Sequence, residues 1–310
     1  MIVFLAKRAV FMVLTMIAVS ILLILLLEVN VSTLPTRVLG PYITPEQAAQ
    51  WLEEEGYNRP IYVRYFEWVG NMLSGDFGDS TRFQIPVSDI LWERLGNTAL
   101  LALFVFAIMV PLSLTLGILA GMKEGSQLDR SISFLSVITT SVPEFASAVL
   151  LSTVFVFALG WLDGTVGSGS AFHWTQMILP VTVLVLYGFG YIARMMRASM
   201  AEVMQSPYIR TAVLKGLPYR RVIIRHALRN ALIAPFTVII LQINWLLSGV
   251  IVVEFFFSYD GFGALLLEAA QNTDIDMIQA CAMVAVVVAV GTQTLADIGY
   301  TYLNPRIRFT

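Results

Sequence analysis

Apolar residues occur along this chain in blocks too long for the core of a soluble domain. From about Ala9 to Val31 nearly every side chain is aliphatic or aromatic, enough to cross ~30 Å of hydrocarbon at ~1.5 Å per helical residue. Lys7 and Arg8 precede this run, which predicts a retained spanning helix at 1–31. A cleavable signal is disfavoured because the run is long and no small-x-small cleavage site follows it cleanly. Blocks at 98–122, 131–161, 177–197, 235–253 and 277–302 predict five more crossings. The block at 131–161 exceeds one crossing and is interrupted by Ser141-Val142-Pro143-Glu144, which predicts a kink or break. Gly117 and Gly121, one helical turn apart, predict close approach by a neighbouring helix.

The segments between the blocks differ in kind. Residues 32–96 mix acids with prolines, glycines and aromatics and read as an extramembranous segment. Thr44-Pro45-Glu46-Gln47 opens one amphipathic helix there. A second, from Pro60 to Leu73, carries Ile61, Tyr65, Trp68, Val69 and Met72 on one face. Lys123 to Arg130 reads as a short polar turn, and 304–310 as a polar tail.

The basic island in 198–234 is the most informative polar stretch. Ser206 before Pro207 reads as a cap and first residue of a short helix, and Gly216 supplies the left-handed residue that ends it. Pro218 starts a second helix, in which Val222, Ile223, Ala227 and Leu228 recur at helical spacing beside Arg220, Arg221, Arg225 and Arg229. Two short helices at a sharp angle form a knob.

Thr211-Ala212-x-x-x-Gly216, followed by His226-Ala227-Leu228-Arg229, resembles the EAA loop of ABC importer permeases, in the variant of the oligopeptide/dipeptide/nickel permease family. Arg210 stands where the general consensus has Glu, Thr211 replaces its first Ala, and His226 and Arg229 replace its Ile and Pro. The likeness runs over roughly 60–308, through Tyr65-Phe66-x-Trp68, Gly75-Asp76-Phe77-Gly78, Arg94-Leu95-x-Asn97-Thr98, Arg194-x-x-Arg197-Ala198-Ser199-Met200 and Asn304-Pro305-Arg306-Ile307-Arg308. It implies the type I importer fold: an all-α membrane protein of six transmembrane helices with cytoplasmic termini.

The resemblance also implies partners. They are a second homologous permease, two ABC ATPase subunits that bind ATP and Mg, and an extracytoplasmic substrate-binding protein. Carried over by position, Tyr208, Arg210, Thr211, Ala212, Lys215 and Gly216 are expected in or beside the ATPase contact, with Arg220, Arg221 and Arg225 orienting the second helix. Attraction of these arginines to anionic lipid headgroups is the competing reading. Family cargoes include peptides, nickel complexes, oligosaccharides, opines and glutathione.

Composition supports the membrane reading without that likeness. Hydrophobic residues make up 57% of the chain and charged ones 13%. A net charge of −2 gives no basic signature, so nucleic acid is not an expected partner. Lys and Arg at 7–8, 123–130, 194–229 and 306–308 fall on one side of six alternating crossings, which is the cytoplasmic side by the positive-inside rule. The chain is therefore expected in a bacterial cytoplasmic membrane.

Candidate chemistry is sparse. Glu144, with Pro143, is a candidate for the pathway or a gate because a carboxylate inside an apolar run is costly in lipid; a helix-break cap is the alternative. Glu28 and Asp297 lie nearer the ends of their runs. Phe257, Asp260 and Phe262, in the acidic and aromatic stretch 254–276, are candidates for contact with the binding protein, a helix packed on the bundle being the alternative. The two histidines, His173 and His226, and the single cysteine, Cys281, have no partners at metal-ligand spacing, and the methionines at 195, 196, 200 and 204 read as packing. No P-loop or hydrolase motif is present, so no cofactor site and no enzymatic role are expected in this chain. A stand-alone ion-coupled transporter remains the alternative function; it would carry inverted repeats or several pathway carboxylates. A purely structural membrane anchor would not require the knob.

Overall fold

The computed structural model describes residues 2–28, 31–166 and 174–303; side-chain placement at Glu28 also falls outside it, as do His173 and the 304–310 tail with Arg306 and Arg308. Among the described residues the chain is all helical, with one isolated bridge between Asp79 and Pro86 and no strand. Four helices among the described residues are long and apolar enough to cross a membrane, and the count reaches six if each of two bent helix pairs is one span.

The chain divides into two compact units. The first comprises residues up to 98 together with 260–294. In it α1 (Ile2–Glu28) is followed by a 3-10 turn, α2 (Leu34–Val38), α3 (Pro45–Glu54) and α4 (Ile61–Ser74). Thr44 and Gln47 form a capping box on α3: the Gln47 N–H donates to Thr44 Oγ1 at 3.3 Å, and the Thr44 N–H to Gln47 Oε1 at 2.9 Å. The predicted inner face of α4 is the more covered one, with Tyr65 hydrogen-bonded to Ser20 of α1 at 3.0 Å.

The helix expected to start near Thr98 starts at Val87 and runs to Met122 as α5. Its first turns are helical because Val87, Ile90 and Leu91 are buried against Phe262, Leu265 and Met277, which belong to α13 (Phe262–Asn272) and α14 (Ile275–Leu303). Arg94 pairs with Asp260, Asn97 Nδ2 donates to the Asp260 carbonyl at 2.8 Å, and the Phe262 N–H donates to Thr98 Oγ1 at 2.8 Å. Asp274, fully buried, accepts from the Ser80 hydroxyl and from the Arg82 N–H at 3.3 Å.

The second unit comprises 99–259 and the end of α14. It holds α6 (Gln127–Ser141), α7 (Glu144–Ser152) with a π-helical continuation to Ala158, and α8 (Trp174–Met204). Lys123–Arg130 is only partly a turn, because Ser126 caps α6 by accepting from the Asp129 N–H at 3.2 Å. The predicted break appears at Val142-Pro143, where α6 and α7 meet at 100°. Pro143 has no N–H and drives Val142 out of the helical region, so the hydrogen-bond ladder stops there.

The hub is α8. Its buried Val183, Leu184 and Ile192 pack with Leu101, Val105 and Met109 of α5 and with Leu246, Val250 and Val253 of α12 (Ile233–Phe256). Gly117 and Gly121 of α5 serve as predicted: a Cβ on Gly117 would lie 2.6 Å from Met196 Cβ and 2.7 Å from the Ala193 carbonyl, and one on Gly121 2.6 Å from both Met200 Cβ and the Arg197 carbonyl.

Candidate functional site

After α8 the chain forms α9 (Pro207–Leu214), α10 (Tyr219–Arg221), a π-helical stretch 222–227 and α11 (Leu228–Ala231). Ser206 occupies the cap position of α9, but its hydroxyl does not cap: it donates back to the Val203 carbonyl at 2.6 Å. Pro207 supplies the first helical φ without losing an N–H bond. Gly216 adopts φ +73° and its N–H donates to the Val213 carbonyl at 2.9 Å, which closes α9. Leu217 and Pro218 then redirect the chain, and the Arg221 N–H donates to the Pro218 carbonyl at 2.8 Å. The second arm, expected as a regular α-helix, is π-helical at its centre, with the Leu228 N–H bonded to the Ile223 carbonyl. Even so, Val222, Ile223 and Ala227 all point inward.

A compact apolar core holds the two arms. Ile209 and Ala212 of α9 meet Val222, Ile223, Ala227 and Ala231 on a floor of Met196 and Met200 from α8. Asn230 Nδ2 donates to the Tyr208 hydroxyl at 2.9 Å and pins the arms together. Arg197 Nε and Nη2 grip the Asp129 carboxylate at 2.9 and 2.7 Å, Glu124 lies 3.5 Å from Arg197, and Gln205 Nε2 donates to Glu124 at 3.0 Å. The turn between α5 and α6 is thereby tied to the stretch of α8 beneath the knob.

This arrangement sorts the sequence candidates. Arg210, Thr211, Lys215, Gly216, Arg220, Arg221 and Arg225 are exposed, as is the Tyr208 ring. Ala212 is buried and belongs to the packing between the arms. The sequence reading missed the exposed apolar members of the same surface. Leu214 is 79% exposed, Tyr219 52% and Val213 50%, all beside the basic residues. An apolar pattern cannot say which of two neighbouring hydrophobics faces solvent when the helix is only two turns long. Asp129 was also missed, although Ser126-x-x-Asp129 has the spacing of a helix-start signature.

Elsewhere the candidates are redistributed. Phe257 is 1% and Phe262 6% exposed, each within the core of its own unit, and Asp260 is held by Arg94. Of the two readings of this stretch, packing on the chain's own helices is the one the burial of these rings supports. Glu144 is the first residue of α7, half-buried, with exposed Pro143 at the cap position. Met196 and Met200 are core, as read, and Cys281 is buried. Among the described residues no cluster of three metal-ligating side chains is found.

Residues 113–309 match the family of binding-protein-dependent transport system inner membrane components, and the chain belongs to that family. It is 34% identical to the oligopeptide transport system permease protein AppB of Bacillus subtilis, over 88% of this chain and 89% of that one. It is 32% identical to the dipeptide transport system permease protein DppB of Alkalihalophilus pseudofirmus, with the same coverage of both chains. A crystal structure of an amino acid ABC transporter with histidines shares the fold, with a TM-score of 0.54 at 14% identity over 69% of this chain and 94% of that one. The chain is thus a multi-pass permease subunit of an ABC importer, a transport component and not an enzyme.

Proposed function

We propose that this permease conducts peptides, or similar small polar solutes, across a bacterial cytoplasmic membrane when the knob at 206–231 is moved by an ATPase. Two relatives named as oligopeptide and dipeptide permeases support peptides as the cargo. The observation that carries the mechanism is the exposed ridge of Leu214, Lys215, Tyr219 and Arg220 on a rigid buried core. Such a ridge transmits force, because a push on it is passed through Met196 and Met200 into α8 without being absorbed by a flexible loop.

The partners in this reading are a second homologous permease, two ATPase subunits that hold ATP and Mg, and an extracytoplasmic binding protein. Six crossings follow if each bent pair counts as one span, and the Lys and Arg placement along the sequence supports cytoplasmic termini and a cytoplasmic knob. Alternating access then needs an energy source that shifts two conformations of the bundle, which ATP-driven closure of the motor supplies.

Extraction in mild detergent should co-purify an ATPase chain, and reconstituted vesicles should accumulate trialanine only with ATP and binding protein present. Accumulation driven by an ion gradient without ATP, by a chain that co-purifies with no ATPase, would instead establish the stand-alone transporter.

A further inference from the structure

Helix α4 is apolar on more than its inner face. Ile61, Tyr65, Trp68 and Met72 form that inner face and are partly buried. On an adjoining arc Tyr62, Phe66 and Leu73 recur at helical spacing, and they are 63% to 80% exposed. A helix surrounded by water would carry polar side chains there.

What covers this stripe follows from where α4 is held. The apolar span of α1 runs from Ala6 to Leu26, and among its described side chains Ser20 alone is buried. The Ser20 hydroxyl donates to the Ile17 carbonyl at 2.8 Å, so its oxygen accepts from the Tyr65 hydroxyl, 3.0 Å away. Farther along both helices, Ile24 of α1 lines one cavity with Trp68 and Asn71 of α4. Both meeting points, Ser20 and Ile24, lie inside the apolar span. The deeper one is six residues before Leu26, or ~9 Å at ~1.5 Å per helical residue. An interfacial helix buries its apolar face to a depth of roughly 5–10 Å. A water-soluble partner does not reach that level.

The charges of α4 suit the same depth. Its two charged side chains, Arg64 and Glu67, lie off the stripe and are both engaged. Glu67 pairs with Arg59 at 2.7 Å, while Arg64 Nε donates to the Arg59 carbonyl at 3.3 Å and its guanidinium lies 5.1 Å from the centre of the Tyr57 ring. No charge on this helix is left to meet lipid unpaired.

We propose that Tyr62, Phe66 and Leu73 are covered by the lipid leaflet at the C-terminal end of α1, so that α4 is a membrane-interface helix that ties the segment 32–96 to the bilayer. Aromatic rings settle at this level because an apolar body with a polar tip, as in Tyr62, suits the boundary between acyl chains and headgroups.

The depth of spin labels tests it. In phosphatidylethanolamine–phosphatidylglycerol vesicles holding the assembled transporter, nitroxides on Tyr62→Cys, Phe66→Cys and Leu73→Cys should collide more often with oxygen, which concentrates among acyl chains, than with a water-soluble nickel chelate. A label on Leu22→Cys of α1 should behave likewise, and one on Gln50→Cys of α3, an exposed position, should show the opposite order. The parent chain, whose single thiol at Cys281 is buried, controls for background labelling. Chelate collisions at Phe66→Cys as frequent as at Gln50→Cys would overturn the proposal. So would labels on the stripe that are shielded from both reagents, which is the result a covering protein chain would give. Unsubstituted protein supplies a second measurement: a diazirine carried on a lipid acyl chain should, when photoactivated, attach to Tyr62, Phe66 or Leu73 as well as to α1, and adducts on α1 with none on α4 would refute the lipid contact.

Discussion

Arg197 closes a two-pronged ion pair on Asp129, with Nε 2.9 Å from Oδ1 and Nη2 2.7 Å from Oδ2, in which the Asp129 side chain is only 4% exposed. The Gly125 N–H donates to the same carboxylate at 2.9 Å. The pair joins the start of α6 to α8 one turn before Met200, so it braces the floor on which the knob stands. Planar, bidentate geometry is what arginine supplies and lysine does not.

Replacing Arg197 by Lys should therefore weaken the assembly although the charge is kept. In a double-mutant cycle of Arg197→Lys and Asp129→Asn, followed by thermal unfolding in detergent, the coupling should be roughly 1–3 kcal/mol. Additive losses would mean that the two side chains share no interaction that matters to stability.

A charge at the exposed ridge and a charge in the knob's core should fail differently. Leu214→Asp should leave the thermal transition of the permease unchanged and weaken ATPase association about thirtyfold, or about 2 kcal/mol, as expected for a central interface residue. Ala212→Asp should lower the transition itself, because it buries an unpaired carboxylate between the arms. ATPase affinity and melting temperature, measured on both variants, separate docking from packing; a Leu214→Asp variant that binds normally would place the contact elsewhere.

The glycines of α5 make a third contrast. Gly117→Ala and Gly121→Ala must push against Met196, Met200 and the α8 backbone, and each should cost about 1–3 kcal/mol. Gly96→Ala in the same helix meets nothing within 4 Å and should gain up to about 1 kcal/mol from helix propensity. Chemical unfolding of the three variants checks the order, and equal effects would deny the close helix approach.

The elements that could be read from sequence are those whose cause is local. Span lengths follow from unbroken apolar runs, the break at Val142-Pro143 from a missing N–H, and the end of α9 from the left-handed φ of Gly216. The start of α5 was misplaced because Trp92, Glu93 and Arg94 look like a polar loop when the burial of Ile90 and Leu91 beneath Phe262 and Leu265 is unknown. Phe257 and Phe262 allowed two readings, partner contact or packing on the bundle, for the same reason: an aromatic between acids has no intrinsic side.

By itself, then, the sequence determined a membrane chain with long apolar helices, a proline break and a basic two-helix knob, since sterics and hydrophobicity within a few residues suffice for each. Only the tertiary structure decided that Ala212 packs while Leu214 protrudes, that Asp129 answers Arg197, and that Asn230 reaches Tyr208. The two polar pairings join residues 68 and 22 positions apart, and how closely helices approach at Gly117, Gly121 and Gly190 is a distance that side-chain volume on both partners sets together.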